Sequence, residues 1–397
     1  MKPTAFALLL LWGCAAEPQP HTPNDKPLVD PGTDPDPNDP DPNDPGKVTE
    51  DPPIFQPGYH QALRWSYAIP SRTTFRIRIP LGRAGDRIRL TFRGGERPAK
   101  LHVVTVALAD EDGVGALGSE PLNVEFNGSS RVSIAPRALV RSDPLPFRVS
   151  FRQELYVSFE AEGELAAGAI DLLPGSFAQP GAHAADPDFD GAPFPRAIGL
   201  ASVGVEGART RAFVAIGDSI SEAYVSGTDD YRNAWPAVAE DLLGLPVANA
   251  SVSGQGVLEA QAGLADEVFS LPGITDCLVL IGTNNLWDHD EAGMEAILRT
   301  FTAKLAPFCR IWLGTLPPKD PAGMDPRVKT LRKGLNDWIR REPGVAGILD
   351  FDALLRRDED PDGWIDGSRE DGVHPSVIGQ RLMGEEAARL LGGPPAP

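Results

Sequence analysis

Between residues 54 and 173, apolar and polar residues alternate with a period of two. Turn-forming Gly, Pro, Asn and Asp residues separate the alternating runs, and no long helical pattern interrupts them. Short half-buried strands joined by frequent turns are typical of an antiparallel β-sandwich or jelly roll, which we predict for residues 54–195. Residues 174–200 are expected to form an irregular connection. The alternating apolar positions are Phe75, Ile77 and Ile79; Ile88, Leu90 and Phe92; Leu122, Val124 and Phe126; Phe147, Val149 and Phe151; and Leu155, Val157 and Phe159.

After residue 211 the pattern changes to continuous apolar runs that alternate with helical periodicity. Continuous apolar runs indicate strands that are buried on both faces, as in a parallel sheet. The pattern therefore predicts a three-layer α/β/α domain with a five-stranded parallel sheet over residues 205–393. The predicted strands are 213–216, 247–250, 278–281, 311–313 and 347–351, and the predicted helices are 235–243, 292–305, 328–339 and 378–391.

The N-terminal segment resembles a bacterial lipoprotein signal. Lys2 precedes an apolar run over residues 5–12, which is much shorter than the ~20 residues of a membrane span. It ends in Leu-Trp-Gly-Cys14, similar to a lipobox, so we expect residues 1–14 to be a signal peptide and Cys14 to carry the lipid. An ordinary secretory signal with an incidental cysteine is the alternative. We therefore expect the protein to be lipid-anchored in the bacterial cell envelope, on the periplasmic or outer face of the outer membrane, or else to be secreted.

Residues 15–53 are rich in Asp and Pro and contain the repeat Asp-Pro-Asn-Asp-Pro twice in succession, from Asp36 to Pro45. This composition predicts an extended, disordered tether. The whole chain has 397 residues and a net charge of −19, which disfavours nucleic acid and anionic lipid as partners. We therefore expect a monomer that contacts a membrane only through its lipid anchor.

Cys277 and Cys309 each lie five residues before a glycine that ends a strand-like run. If these strands are parallel neighbours in register, the two Cα atoms are about 5 Å apart, within reach of a disulfide. A bridge and two buried free thiols are the two alternatives.

Four polar clusters follow predicted strands, where functional groups of parallel α/β sheets gather. Ser219 lies in Gly-Asp-Ser at a strand-to-helix turn, and Asp371 precedes His374 by three residues. A serine hydroxyl is a weak nucleophile without a base, and the base requires a group that fixes its tautomer. Ser219, His374 and Asp371 fit these roles. The amide of Ser219, Gly254 in Asn-Ala-Ser-Val-Ser-Gly and the side chain of Asn284 can donate hydrogen bonds to an oxyanion.

These clusters, in this order, resemble the SGNH (GDSL-type) hydrolase family over residues 210–393. Ser219, Gly254, Asn284 and His374 match its four named residues, and Asp371 matches its triad acid; Asn285 departs from the usual Asp. The resemblance implies a flavodoxin-like fold and a serine esterase that needs no metal or cofactor. The β-rich region, with residues 76–79, 87–92 and 142–144, resembles the sandwich of acetylxylan-esterase-like members. The implied substrate is a short acyl ester, such as an acetyl group on a polysaccharide.

Two other functions remain open. One is a lysophospholipase or thioesterase of the same family, although no long apolar lid segment is visible in the sequence. The other is a surface lipoprotein that binds glycan without hydrolysing it. The acidic segment from Asp358 to Asp366 has the spacing of part of an EF-hand loop, but Arg369 stands where the bidentate Glu belongs. We therefore expect an acidic surface loop and no metal site there.

Overall fold

Two antiparallel sheets form the first half of the computed structural model, which describes residues 53–110, 115–225, 229–321, 324–342 and 344–392. The predicted signal peptide, Cys14 and nearly all of the tether lie outside these residues. Within the described residues, no helix has both the length and the apolar character needed to cross a membrane.

The sheets pack face to face as a β-sandwich, as the period of two predicts. One sheet has the order β1-β11-β3-β7, and the other has the order β10-β9-β2-β8-β4-β5, with β6 also paired to β4. Apolar side chains from the facing surfaces, including Phe75, Phe92 and Phe159, are buried between the sheets. The strands are β1 (Ile54–His60), β2 (Trp65–Pro80), β3 (Ile88–Arg93), β4 (Ala99–Leu108), β5 (Leu122–Asn123), β6 (Val132–Ile134), β7 (Leu139–Arg141), β8 (Glu154–Ala167), β9 (Phe177–Pro180), β10 (Ala192–Pro193) and β11 (Leu200–Gly207).

The sandwich differs from the prediction in its end, in one run and in residues 174–200, which were expected to be irregular but contain β9 and β10, and β9 pairs with β2. Its last strand is β11, so the predicted boundary at residue 195 was wrong. The sequence Leu-Ala-Ser-Val-Gly-Val-Glu-Gly hides this strand because small residues occupy buried positions. The residues from Phe147 to Phe151 form only an isolated bridge, Gly85 to Val149, although Phe147 and Val149 are buried as predicted.

The second half is an α/β/α domain around a five-stranded parallel sheet of order β13-β12-β14-β15-β16, which confirms the predicted fold class. Every residue of β12 and β14 is buried, as their continuous apolar sequences require. The strands are β12 (Phe213–Gly217), β13 (Val247–Asn249), β14 (Asp276–Leu280), β15 (Arg310–Gly314) and β16 (Gly347–Leu349). The helices are α1 (Ser219–Glu222), α2 (Trp235–Leu243), α3 (Val257–Glu267), α4 (Glu291–Leu305), α5 (Pro326–Ile339), α6 (Phe351–Leu355) and α7 (Val377–Leu391).

Two helices were missed in the sequence. The buried face of α3 combines the apolar Val257 and Leu264 with two small residues and the charged Glu267, so its helical period is faint. The last predicted strand was too long, because Asp350 ends it by capping α6 through a hydrogen bond from the amide of Ala353. The four helices that were predicted agree with the observed ones to within two residues.

Cys277 and Cys309 form a disulfide with a Cα–Cα distance of 5.8 Å. The register differs from the expected one, because Cys277 pairs with Ile311 rather than with Cys309. Cys309 lies just before β15, where its amide still bonds to the carbonyl of Leu305 at the end of α4. The bridge therefore joins the start of β14 to the turn between α4 and β15.

The sandwich is joined directly to the parallel sheet. After β1, Gln61 bridges to Asn249 at the end of β13, and the amide of Ala62 donates to the carbonyl of Asn249 at 3.0 Å. Buried charges connect the same faces, since Arg93 pairs with Glu267 at the end of α3. The sandwich thus holds the loop that follows β13, one of the loops with the predicted functional residues.

Candidate active site

The serine lies at a sharp turn between β12 and α1. Gly217 ends the strand where a Cβ atom would lie 2.6 Å from the carbonyl oxygen of Leu280, so only glycine fits. Asp218 caps the helix by accepting a hydrogen bond from the amide of Ile220 at 3.0 Å. Ser219 is therefore the first residue of α1, and its side chain reaches the carboxyl edge of the sheet.

The structure brings Ser219, His374 and Asp371 together in one hydrogen-bonded chain. The distance from Ser219 Oγ to His374 Nε2 is 2.8 Å, and the distance from His374 Nδ1 to Asp371 Oδ2 is also 2.8 Å. The serine residue is 8% exposed, and the histidine side chain is 16% exposed. This arrangement fixes one imidazole nitrogen on the carboxylate and leaves the other to accept the serine proton.

Backbone contacts hold the loop of Asp371 and His374 in place. Gly372 has a φ of +89°, and a Cβ atom there would lie 2.7 Å from the nitrogen of Pro321. The carbonyl of Gly372 accepts a hydrogen bond from Asp320 N, and the carbonyl of Val373 accepts one from Lys319 Nζ. The loop after β15 therefore positions the loop before α7.

Asp371 is held in its charged form. Partial burial alone would raise its pKa, but hydrogen bonds from the backbone and ring of His374 and from the amide of Val373 lower the pKa below its usual range. Oδ1 accepts both amides at 2.8 Å, which leaves Oδ2 for the imidazole. At neutral pH the carboxylate can stabilise an imidazolium beside it.

The three predicted donors also gather at this edge. Among the described residues, the amides of Ser219 and Gly254 have no hydrogen-bond acceptor. Gly254 has a φ of +81° and its Cα faces open space, as a close approach of a ligand requires. Asn284 Nδ2 donates one hydrogen to the carbonyl of Gln255 at 2.9 Å, which orients the amide and leaves its second hydrogen for a ligand. Asn285 supports the loop, since its Oδ1 accepts from the amide of Val257.

Acidic residues and one aromatic ring border the histidine. The ring of Tyr224 lies 4.5 Å from the imidazole, centroid to centroid. Burial raises the pKa of Asp229, and the charge of Asp171, from the sandwich, raises it further, whereas His374 lowers it. The surroundings of the site are therefore negative, and both halves of the protein contribute to them.

Three residues of this site were not singled out in the sequence: Glu222, Tyr224 and Lys319. Lys319 had a usable signal, because it belongs to Thr-Leu-Pro-Pro-Lys directly after β15, at the same edge of the sheet. Glu222 and Tyr224 had none, since neighbouring positions of a one-turn helix do not reveal which side chain is buried.

The acidic segment from Asp358 to Asp366 makes contacts within the protein. Asp362 pairs with Arg332 at 3.1 Å and with Lys333 at 3.1 Å, and these pairs lower its pKa against the opposing effect of burial. In the described parts of the chain, no group of three or more His, Cys, Asp or Glu residues has a geometry suited to a metal.

The family assignment follows from the sequence of this same region. A sequence model described as the GDSL-like lipase/acylhydrolase family matches residues 215–382, which include Ser219, Gly254, Asn284, Asp371 and His374. This region is a GDSL-like lipase/acylhydrolase domain. This match assigns the region to the carboxylic ester hydrolases of the SGNH type. The predicted family and enzyme class are thereby confirmed.

Several solved structures are similar to the GDSL-like domain. A lipolytic protein of the G-D-S-L family from Desulfitobacterium hafniense is 21% identical, covers 46% of this chain and 99% of its own, and has a TM-score of 0.40. The acetylxylan esterase Axe2 from Geobacillus stearothermophilus is 21% identical, with 46% and 95% coverage and a TM-score of 0.37. An aryl esterase from M. smegmatis is 14% identical, with 46% and 98% coverage and a TM-score of 0.39. No curated protein matches the sequence.

Proposed function

We propose that the protein hydrolyses short-chain carboxylic esters, in particular acetyl esters of a polysaccharide, through an acyl-enzyme at Ser219. The observation that carries this proposal is the hydrogen-bonded chain from Ser219 Oγ through the imidazole of His374 to Asp371, with 2.8 Å at each step. A serine, an imidazole and a carboxylate in this order make a nucleophile, its base and the group that orients the base.

In the first half of the reaction, Ser219 Oγ attacks the ester carbonyl while His374 Nε2 takes its proton. Asp371 stabilises the imidazolium that forms. The negative charge on the carbonyl oxygen is met by the amides of Ser219 and Gly254, which have no other acceptor among the described residues, and by the second hydrogen of Asn284 Nδ2. The tetrahedral intermediate then collapses, the C–O bond to the alcohol breaks, and His374 returns the proton to the leaving alkoxide.

In the second half, water replaces the alcohol. His374 takes a proton from the water, whose oxygen attacks the acyl carbonyl on Ser219. The same three donors hold the second oxyanion, and the collapse releases the carboxylic acid and returns the proton to Ser219. The complete reaction consumes one ester and one water molecule and forms one carboxylic acid and one alcohol, without any electron transfer.

The charge around the site supports a neutral substrate. Asp229 lies near His374, Asp171 lies near Asp229, and the whole chain carries a net charge of −19. Such a field disfavours an anionic phospholipid at the alcohol side of the ester and tolerates an uncharged sugar. Acetylated neutral polysaccharide is therefore the substrate class that we propose.

A panel of esters tests the substrate. We expect kcat/KM to fall steadily along a p-nitrophenyl series from acetate to palmitate, and we expect acetate to be released from acetylated xylan. A maximum at long chains, together with release of fatty acid from lysophosphatidylcholine, would favour the lysophospholipase alternative. Acetate release from the aryl ester without release from acetylated xylan would overturn the proposed polysaccharide.

We also propose that Cys14 carries the lipid that anchors the protein in the bacterial cell envelope. The support is the lipobox-like sequence before it and the Asp- and Pro-rich segment after it. Expression with an alkyne-labelled fatty acid should label the full chain, and Cys14→Ser should abolish the label and release the protein from the membrane fraction. Equal labelling of both proteins would contradict the anchor.

A further inference from the structure

A buried carboxyl group lies directly behind the predicted oxyanion donors. Glu222 is the last residue of α1, one turn after Ser219, and its side chain is inaccessible to solvent. Its Oε2 accepts a hydrogen bond from the amide of Ser253. Ser253 immediately precedes Gly254, so this bond holds the peptide unit one position before the amide that faces the site.

Hydrogen bonds also hold the residues on either side of Ser253 and Gly254. The amide of Val252 donates to the carbonyl of Gly217 at 3.2 Å, and the side chain of Gln255 donates to the same carbonyl. Between these contacts, the amide of Gln255 donates to the carbonyl of Val252 at 3.2 Å, which closes a turn over Ser253 and Gly254, and the amide of Ser253 donates to Glu222. Because Gly254 is at positive φ and faces open space, the bond to Glu222 fixes the peptide at the start of this turn and thereby helps to set the direction of the Gly254 amide.

The carboxyl is kept in an environment that disfavours its charge. Burial raises the pKa of Glu222 to about 7, while the hydroxyl and amide of Ser253 and the amide of Ala169 lower it. Asp229 is the charged group facing it and raises the pKa further, and no cation pairs with Glu222 among the described residues. A buried acid without a cation costs stability, so its presence points to the bond that it makes.

The sandwich reaches the same group. Ala169 lies just after β8, and its amide approaches the carboxyl of Glu222 without completing a hydrogen bond to Oε1. On the adjacent side, Gln61 Nε2, also from the sandwich, donates to the carbonyl of Ser251. The loop that presents Gly254 is therefore held between α1 and the sandwich.

We infer that Glu222 is a positioning residue, which holds the Ser253 amide at the start of the turn so that the Gly254 amide that follows points at the oxyanion. The inference rests on the proposed function, because it assigns Glu222 a role in the same acyl transfer. Its side chain does not touch the reacting atoms. It acts through the loop, so its removal should weaken binding of the transition state more than binding of the substrate.

Two substitutions separate the hydrogen bond from the packing. Glu222→Gln keeps the size and one acceptor oxygen, whereas Glu222→Met keeps a similar volume without an acceptor for Ser253. The matched controls are Glu240→Gln and Glu240→Met. Glu240 is also buried, its pKa is raised to about 7 by burial, and it accepts a hydrogen bond from the amide of Val247 at 2.8 Å. Glu240 lies in α2 and does not contact the loop of Gly254.

The readouts are kcat and KM for p-nitrophenyl acetate and the thermal midpoint of each variant. We expect Glu222→Met to lower kcat on the order of 10–100-fold with KM within about threefold, and Glu222→Gln to restore kcat to within about threefold of wild type. Both Glu240 variants should keep the wild-type kcat, whatever their midpoints.

Wild-type kcat in Glu222→Met would overturn the inference, as would equal losses in Glu222→Met and Glu222→Gln. A loss confined to KM would overturn it too, since uniform binding would then have been removed. These results are distinct from failure of the proposed function, which Ser219→Ala tests alone. If Ser219→Ala is inactive and Glu222→Met is fully active, only the positioning role is lost.

Discussion

Lys319 Nζ donates a hydrogen bond to the backbone carbonyl of Val373, the residue before His374, at 2.9 Å. The lysine is fully buried, and burial lowers its pKa to about 7, although Asp218 and Asp371 act in the opposite direction. Burial also raises the pKa of Asp218. A buried amine thus fixes the backbone from which the imidazole projects.

This burial gives Lys319 a measurable effect on stability. Between pH 7 and about 10 the unfolded chain keeps a proton that the folded chain has lost, so the free energy of unfolding should rise with pH across this window. Lys319→Met should remove this rise. Urea unfolding of both proteins at pH 6.5 and pH 9 measures the difference.

The control for this prediction is Lys333→Met, because Lys333 is partly exposed and pairs with Asp362. It should keep the wild-type dependence on pH. An unchanged dependence in Lys319→Met would show that the buried amine does not titrate in this range.

Asp371→Asn should lower kcat on the order of 10³–10⁴-fold, because an amide cannot hold the imidazole tautomer that accepts the serine proton. The structure offers a matched control in Asp186, whose Oδ2 lies 2.8 Å from His183 Nδ1 with the same three-residue spacing. Asp186→Asn should leave kcat unchanged. Steady-state rates at pH 8 compare the variants, and equal rates for Asp371→Asn and wild type would exclude the assigned role.

The lowered pKa of Asp371 also predicts the direction in which stability changes with pH. The carboxyl group releases its proton more readily in the folded protein than in the unfolded chain. It therefore stabilises the folded protein above the ordinary pKa of Asp, and this stabilisation is lost as the pH falls through the pKa of the folded state. The difference in the free energy of unfolding between wild type and Asp371→Asn, measured by urea unfolding, should therefore shrink only below about pH 4, the ordinary pKa of Asp.

Asn284→Ala removes one donor to the oxyanion. We expect kcat to fall on the order of 10²–10³-fold, with KM within a few-fold of wild type, because the donor acts chiefly on charge that develops in the transition state. Thermal unfolding separates this effect from the lost bond to Gln255. If KM rises and kcat does not fall, Asn284 binds substrate instead.

The disulfide joins residues that are 32 apart in the sequence. Replacing both Cys277 and Cys309 by Ala should lower the free energy of unfolding by about 3–4 kcal/mol, the cost of closing a loop of this length in the unfolded chain. The esterase rate of the folded protein should not change, because the bridge lies at the start of β14, at the opposite end of the sheet from Ser219. Urea unfolding and p-nitrophenyl acetate assays test the two statements.

Much of this architecture was predictable because its signals are local. Continuous apolar runs such as Phe213–Ile216 give the parallel strands, alternating runs such as Phe75–Ile79 give the sandwich, and polar clusters after strands give Ser219 and Asn284. His374 was predictable from its spacing to Asp371 together with the need for a base. These residues were expected to lie close together because the carboxyl ends of parallel strands meet at one edge of the sheet.

The features that the sequence did not predict depend on packing between segments that are distant in the sequence. The strand β11 is rich in small residues because it packs closely against β1 and β3, and no local pattern records that. The buried state of Glu222 results from the approach of Ser253 and Ala169, which are distant in the sequence. The register of Cys277 with Ile311 likewise depends on where β15 begins, and Cys309 lies before that point because its amide still bonds to Leu305 at the end of α4.

The most direct measurement compares Ser219→Ala with Ser221→Ala in the cleavage of p-nitrophenyl acetate, with folding verified by circular dichroism. Ser221 lies in the same turn and is fully buried, but its Oγ accepts a hydrogen bond from Trp235 Nε1 and not from the imidazole. We predict that Ser219→Ala loses activity by at least about 10⁴-fold while Ser221→Ala stays within tenfold of wild type. Turnover by folded Ser219→Ala at a rate near that of wild type would contradict an acyl-enzyme at Ser219.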